Sequence, residues 1–271
     1  MKDMVKYQFF PWHLVEASPW PILTAFSLFN LTIGAVLYMH GYNNGGFVLS
    51  IGFVLTTYAM ILWFKDVVIE ATYLGHHTKE VKKGLMLGFG LFIVSEIFAF
   101  ASVFWAFFHS AFVPSIEIGG QWPPLGITPL NSYSIPLLNT FLLLSSGAFI
   151  TYSHHSLIAG ARNKALIGSF FTILLAIIFT AFQGFEYFTS SFSIADGIFG
   201  STFFASTGLH GLHVIVGTIF IIVGTFRIYY HNVTRQTHVG IESGIIYWHF
   251  VDVVWLFLFI AIYSWGSNAN F

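Results

Sequence analysis

Cysteine is absent from the 271 residues, and with it go disulfides, iron–sulfur clusters, thiolate-bound metals and cysteine nucleophiles. Charge is nearly as scarce. Asp, Glu, Lys and Arg make up 8% of the chain, where soluble domains carry about a quarter. The net charge of −1 leaves no concentrated basic surface for phosphate, which excludes nucleic acid as a partner. A Gly-x-x-x-x-Gly-Lys phosphate loop, a Gly-x-Ser-x-Gly nucleophile elbow and a His-Glu-x-x-His pair are all missing, so covalent and zinc-protease catalysis have no candidate residue. Fixed-period repeats, low-complexity tracts and polar linkers are missing too. What the chain has in abundance is apolar: 56% hydrophobic and 20% aromatic residues, 33 of them Phe, with a mean hydropathy of +0.77. A water-soluble surface cannot be assembled from this composition, so the solvent is the lipid bilayer.

An apolar helix crosses the hydrocarbon with about 20 residues. Hydropathy supplies seven such lengths, expected near residues 20–39, 47–69, 83–112, 135–156, 164–188, 198–229 and 240–263. All ten basic residues then fall on one side: Lys2 and Lys6 before the first span, Lys65, Lys79, Lys82 and Lys83 around the second connection, Arg162 and Lys164 in the fourth, Arg227 and Arg235 in the sixth. The positive-inside rule places these connections and the N-terminus on the cytoplasmic or matrix side, with the C-terminus outside. The first 16 residues lack the unbroken apolar core of a signal peptide and read as retained. Ser18, Pro19 and Pro21 suit a helix start, residues 41–46 a tight turn, and the Gly- and Pro-rich stretch 113–134 a structured outer loop. The expected fold is an all-α membrane protein, a single transmembrane domain over residues 1–271, with sub-bundles of roughly 1–72 and 73–271 set apart by the hydrophilic stretch 65–83. Gly84-x-x-x-Gly88 and Gly240-x-x-x-Gly244 have the spacing of close helix contacts.

Ionisable groups at membrane depth are costly and mark candidate sites. Glu96 lies about 20 Å into the third span at 1.5 Å per residue. Phe92, Ile93, Ala99 and Phe100, its neighbours along the helix, offer no partner, which favours the neutral acid. It is either a proton-exchanging or lipid-facing carboxyl, or a group hydrogen-bonded to another helix. In the seventh span His249 and Asp252 share a turn with Trp248, and His210 and His213 sit at similar depth in the sixth. Together they suit a polar core that holds helices together, and less well a metal site. Gln183 and Glu186 near the outer end of the fifth span read as a cap reached by water. On the inner side His76, His77, His154, His155, His231 and His238 are interfacial polar residues or proton buffers. Trp63 and Tyr229 fit the aromatic belt, and Lys65 and Arg227 are placed to meet lipid phosphates.

Several blocks go further: Ser18-Pro-Trp-Pro21, Gly75-His-His-Thr78, Val94-Ser-Glu-Ile97, Trp105-Ala-Phe-Phe-His-Ser110, Gln183-Gly-Phe-Glu-Tyr-Phe188, Thr207-Gly-Leu-His-Gly-Leu-His-Val214 and Tyr247-Trp-His-Phe-Val-Asp-Val-Val-Trp-Leu-Phe-Leu258. In this order and over nearly the whole length, they resemble the subunit III family of cytochrome c oxidases, and Phe10-Pro-Trp-His-Leu-Val15 is similar to its mitochondrial form. The resemblance implies seven helices in two bundles, the first two against the other five, with a V-shaped cleft between them that holds phospholipid. It implies a core subunit of respiratory complex IV in the mitochondrial inner membrane, N-terminus in the matrix and C-terminus in the intermembrane space. Cytochrome c oxidation, oxygen reduction to water and proton pumping would belong to the haems and coppers of subunits I and II. This chain would carry no cofactor, metal or catalytic residue, packing instead on subunit I, beside subunit II and accessory subunits, binding structural phospholipids and supporting proton uptake. The family's intramembrane carboxyl falls on Glu96, and its headgroup positions on Trp63, Glu70, His77 and Arg227. One position departs: Ile69 stands where the family commonly has an Arg, with Lys65 as a partial substitute. The competing reading is an independent proton-conducting or transport subunit using Glu96, Asp252 and the intramembrane histidines.

Overall fold

The computed structural model describes residues 10–268, so Lys2 and Lys6 lie outside the described residues. Seven helices long and apolar enough to cross a membrane follow one another: α1 Trp20–Met39, α2 Gly45–Thr72, α3 Lys79–Phe112, α4 Ile135–Ala159, α5 Arg162–Thr189, α6 Gly197–Tyr229 and α7 Val239–Leu258. Several ends differ from expectation by a few residues, and two have a visible cause. α3 begins at Lys79 because Thr78 caps it: the Val81 N–H donates to Thr78 Oγ1 at 3.3 Å and the Lys82 N–H to the Thr78 carbonyl at 3.0 Å. The seventh span changes winding near its outer end, continuing from α7 as a π-helical stretch Phe259–Trp265. The described basic residues sit in or beside the α2–α3, α4–α5 and α6–α7 connections. By compactness the chain divides into two units, Met1–Leu85 and Met86–Phe271, with the boundary inside α3.

In the first unit α1 and α2 are antiparallel and nearly touch. A Cβ added to Gly34 would lie 2.5 Å from the Leu49 nitrogen, and one added to Gly52 would lie 2.6 Å from Leu31 Cα. Lipid gives apolar helices no hydrophobic reason to associate, so the backbone approach allowed by glycine supplies the dispersion contact that holds them. At the inner end Trp20 Nε1 donates to the Asp66 carboxylate. Ser18 does serve the start of α1, its hydroxyl accepting the Trp20 N–H at 3.3 Å. α2 ends at Thr72, and Gly75, with a φ of 72°, turns the chain back toward Thr78. The two predicted glycine pairs are not the tight contacts. A Cβ at Gly84 or Gly88 would meet nothing within 4 Å, and Gly240 and Gly244 face side chains of α6, Arg227 and Phe220. Spacing permits a close approach but does not select it; shape complementarity with the neighbour does.

In the second unit α7 is the buried element. Trp248, Trp255 and Tyr263 are enclosed, and each spends its polar hydrogen on another helix. Trp248 Nε1 donates to Ser146 Oγ at 2.9 Å, Trp255 Nε1 to Thr140 Oγ1 at 3.0 Å, and the Tyr263 hydroxyl to Glu186 Oε1 at 2.5 Å. Rising numbers on α7 against falling ones on α4 make those two helices antiparallel. α3 joins through aromatic faces, Phe92 stacked on Tyr247 with ring centres 6.3 Å apart and Phe100 against Phe250 at 5.9 Å. The outer loop is anchored by Trp122, buried between Phe107 and Phe199.

The close approach of α1 and α2 makes a prediction. G34L should weaken this pair by about 1–3 kcal/mol, the range for overpacking, and lower the thermal inactivation temperature of the membrane-extracted protein. G46A, whose Cβ meets only the Tyr38 ring at 3.4 Å, should be tolerated.

Candidate functional site

Glu96, His210, His213, His249 and Asp252 of the second unit form three separate couples, each crossing between helices. Glu96 of α3 reaches α6, with its Oε2 2.7 Å from His213 Nε2, while His213 Nδ1 lies 2.7 Å from the Leu209 carbonyl. An N–H toward that carbonyl on Nδ1 leaves Nε2 as an acceptor, which a protonated Glu96 would satisfy; a charged imidazole would equally satisfy a carboxylate. The pair is packed by Phe100 and Tyr247, whose ring centres lie 5.0 Å and 6.1 Å from that of His213. Glu96 therefore has a partner, on a helix that its own sequence neighbours could not reveal.

His210, one turn earlier on α6, makes the second couple with α7. Its Nε2 lies 3.2 Å from the Val251 carbonyl, and its ring packs between Phe179 and Trp255. The third couple joins α7 to α4. His249 Nε2 is 3.2 Å from Thr151 Oγ1, its Nδ1 is 3.7 Å from Asp252 Oδ2, and the carboxyl presses on Gly147, where any side chain would collide with it. The polar contacts of His210, His213, His249 and Asp252 thus do not converge. His213 turns to α3, His210 to the α7 backbone and His249 with Asp252 to α4, so they form no shared metal cage.

Gln183 and Glu186 need correcting. They are 5% and 2% exposed, bonded to the Tyr263 hydroxyl at 3.2 Å and 2.5 Å. They are not a cap reached by water, because the π-helical end of the seventh span lays Tyr263 over them. Tyr263 and Gly147 were not singled out from the sequence: one depends on a change of helical winding, the other on a side chain arriving from a distant helix.

On the basic side Arg162 satisfies the end of α6, Nε donating to the Ile228 carbonyl at 3.0 Å and a terminal nitrogen to that of Tyr229. The Arg235 guanidinium lies against Gly160, and that of Arg227, half-buried, lies over Gly240. In the first unit Trp63 and Lys65 are exposed on α2, with Glu70 half-buried near its end. Lys65 precedes Ile69 by one helical turn, so its ammonium shares that face. His77 follows Gly75 and meets a residue the sequence did not mark, His13. The His13 ring stacks on His76 at 5.1 Å and lies 5.8 Å from His77. Burial lowers the His77 basicity below the ordinary histidine value; His13, Lys82 and His76 push the same way and Glu70 opposes them.

Two groups among the described residues have metal-ligand composition and proximity: His13, Glu70 and His77, and His154, His238 and Glu242, the donor atoms within each group lying within 4.8 Å of one another. In the second, His238 Nε2 and Glu242 Oε1 are already paired at 3.1 Å.

Residues 10–267 match the family described as Cytochrome c oxidase subunit III. The chain is similar to proteins named cytochrome c oxidase subunit 3 from several fungi. It is 58% identical over 261 residues to that of Neurospora crassa, covering 96% of this chain and 97% of the relative. For Emericella nidulans the identity is 57% over 260 residues, covering 96% and 97%. For Schizophyllum commune it is 55% over 267 residues, covering 98% and 100%. The blocks around Glu96, His210, His213 and Asp252 all fall inside the matched range, and on this ground the chain belongs to the cytochrome c oxidase subunit III family.

Proposed function

We propose that this chain is a structural, lipid-holding subunit of a terminal oxidase, in the mitochondrial inner membrane, and that the haems and coppers that oxidise cytochrome c and reduce oxygen are held by its partner subunits I and II. The observation that carries the reading is the dispersal of its intramembrane polar groups. Glu96, His210, His213, His249 and Asp252 are engaged in three couples on different helix pairs. A site that performs chemistry needs groups converging on one reacting atom; these diverge, and their common effect is to fix helix register. The exposed apolar faces of α3 and α6, with Leu87, Leu91, Phe98, Leu212, Ile215 and Ile219, are surfaces for lipid and for packing on subunit I. The one-sided basic residues orient the chain with its N-terminus in the matrix and its C-terminus in the intermembrane space.

Phospholipid headgroups are met on the matrix side by Trp63, Lys65, Glu70 and His77 of the first unit and, separately, by Arg227 of the second. Arg227 offers a forked donor to phosphate, Trp63 lies at belt depth, and Lys65 covers the face where Ile69 has no charge. Glu96 supports proton uptake by the assembly through its position and its His213 contact rather than as one link of a transmembrane path.

Two predictions follow from these roles. R227A should lower the anionic phospholipid retained by the purified complex, measured by lipid mass spectrometry; unchanged lipid content would count against the headgroup role. E96Q should leave assembly and thermal stability near wild type, since the amide keeps a hydrogen bond to His213. H213A should cost about 1–3 kcal/mol by stranding the acid, the usual penalty for a buried polar group left unpaired. An E96Q complex that fails to assemble, or an H213A complex as stable as wild type, would refute the register role. Proton uptake abolished in E96Q with the complex intact would favour the proton-conducting reading.

A further inference from the structure

The first unit contains a cluster that includes a residue, His13, for which neither helix packing nor lipid retention accounts. His13 approaches from the stretch before α1, Glu70 from the last turn of α2, and His77 from the loop that leads into α3. Three hydrogen bonds bring these segments together. The Thr78 hydroxyl donates to the Pro11 carbonyl at 2.5 Å, which ties the N-terminal stretch to the loop. The His76 N–H donates to the Glu70 carbonyl at 3.0 Å and the Leu74 N–H to the Ile69 carbonyl at 3.1 Å, which fold the loop back on the end of α2. The His13 ring is then fixed by parallel stacking on His76, at an interplanar angle of 12°. His13 Nδ1 lies 3.9 Å from Glu70 Oε2, and the nearest donor atoms of all three side chains fall within 4.8 Å of one another.

We propose that His13, Glu70 and His77 form a binding site for a divalent transition-metal ion of the zinc type, with the fourth position left to water. The donor set selects the ion. Two imidazoles and one carboxylate suit Zn²⁺, whereas Mg²⁺ and Ca²⁺ prefer all-oxygen shells. In tetrahedral zinc, bonds of about 2.0–2.1 Å put ligand atoms roughly 3.4 Å apart. The cluster is slightly wider, and a change of side-chain torsion at half-buried Glu70 closes it without moving a helix. The site lies at the end of α2, where all three side chains are partly exposed.

Glu70 and His77 are also two of the headgroup positions proposed above. The ion, however, requires His13, which lipid retention does not use, so changing His13 separates the two occupants. The test is the zinc content of the purified oxidase containing this chain, equilibrated with micromolar free Zn²⁺, desalted and measured by plasma mass spectrometry. Wild type should hold about one zinc more per complex than H13A, and H77A should behave as H13A does, consistent with a tenfold or greater loss on removing a ligand. H76A keeps all three donors and should lose less affinity than H13A. Equal zinc content and equal titration midpoints in wild type and H13A would overturn the proposal. So would zinc that leaves on phospholipase treatment to the same extent in wild type and H13A, since the ion would then belong to lipid phosphates. Neither result bears on assembly or lipid retention, so the site can fail while the structural role stands.

Discussion

In hydrocarbon a polar atom has no water to fall back on, and that constraint organises the larger unit of this protein. α7 shows how. Two Trp side chains and one Tyr put large apolar surfaces between helices, yet each also carries a hydrogen that must be accepted. Ser146, Thr140 and Glu186 accept them, two on α4 and one on α5. Sliding α7 by one residue along α4 would break both Trp bonds and leave two buried indole N–H groups unpaired, at roughly 1–3 kcal/mol each. The register of the bundle is therefore set by a few hydrogen bonds, while aromatic packing supplies most of the contact. Glu96 with His213, and His249 with Thr151, add α3 and a third point on α4 to the same frame.

The small unit solves the problem differently. α1 and α2 have little to hydrogen-bond with across their contact apart from Trp20 and Asp66, so they rely on glycine to bring backbones together. The aqueous side follows a third rule. Its basic residues are not uniform: Arg162 closes the end of α6, Arg235 covers Gly160, and Arg227 and Lys65 are turned to other use. The one-sided basic residues thus also supply a cap at the end of α6.

Hydropathy made the seven helices legible because each span must be apolar almost all round, whatever it packs against. The depth of Glu96 was legible for the same reason. Its partner was not: His213 lies 117 residues away, and only the packing of α3 on α6 brings the two together. His213 and His210 stand three residues apart and read as a pair, yet the helix directs one to α3 and the other to α7. Glu186 read as wetted because counting residues measures depth, not cover, and its cover is Tyr263 on a π-helical stretch that no local pattern announces. His13 stood in a run that mattered only for its resemblance, since a cluster assembled from three segments leaves no spacing to recognise.

The central claim is that these polar groups hold helices and the basic face holds lipid, with no redox chemistry inside the bundle. A density map of the purified complex, at a resolution that shows lipids and waters, tests it most directly. The account predicts a phospholipid phosphate within hydrogen-bonding reach of Arg227 and direct His213–Glu96 contact, with helix packing filling the space between α6 and α7. A haem or metal ion bound by His210, His213 or His249, or an unbroken file of water from Glu96 to either surface, would contradict it.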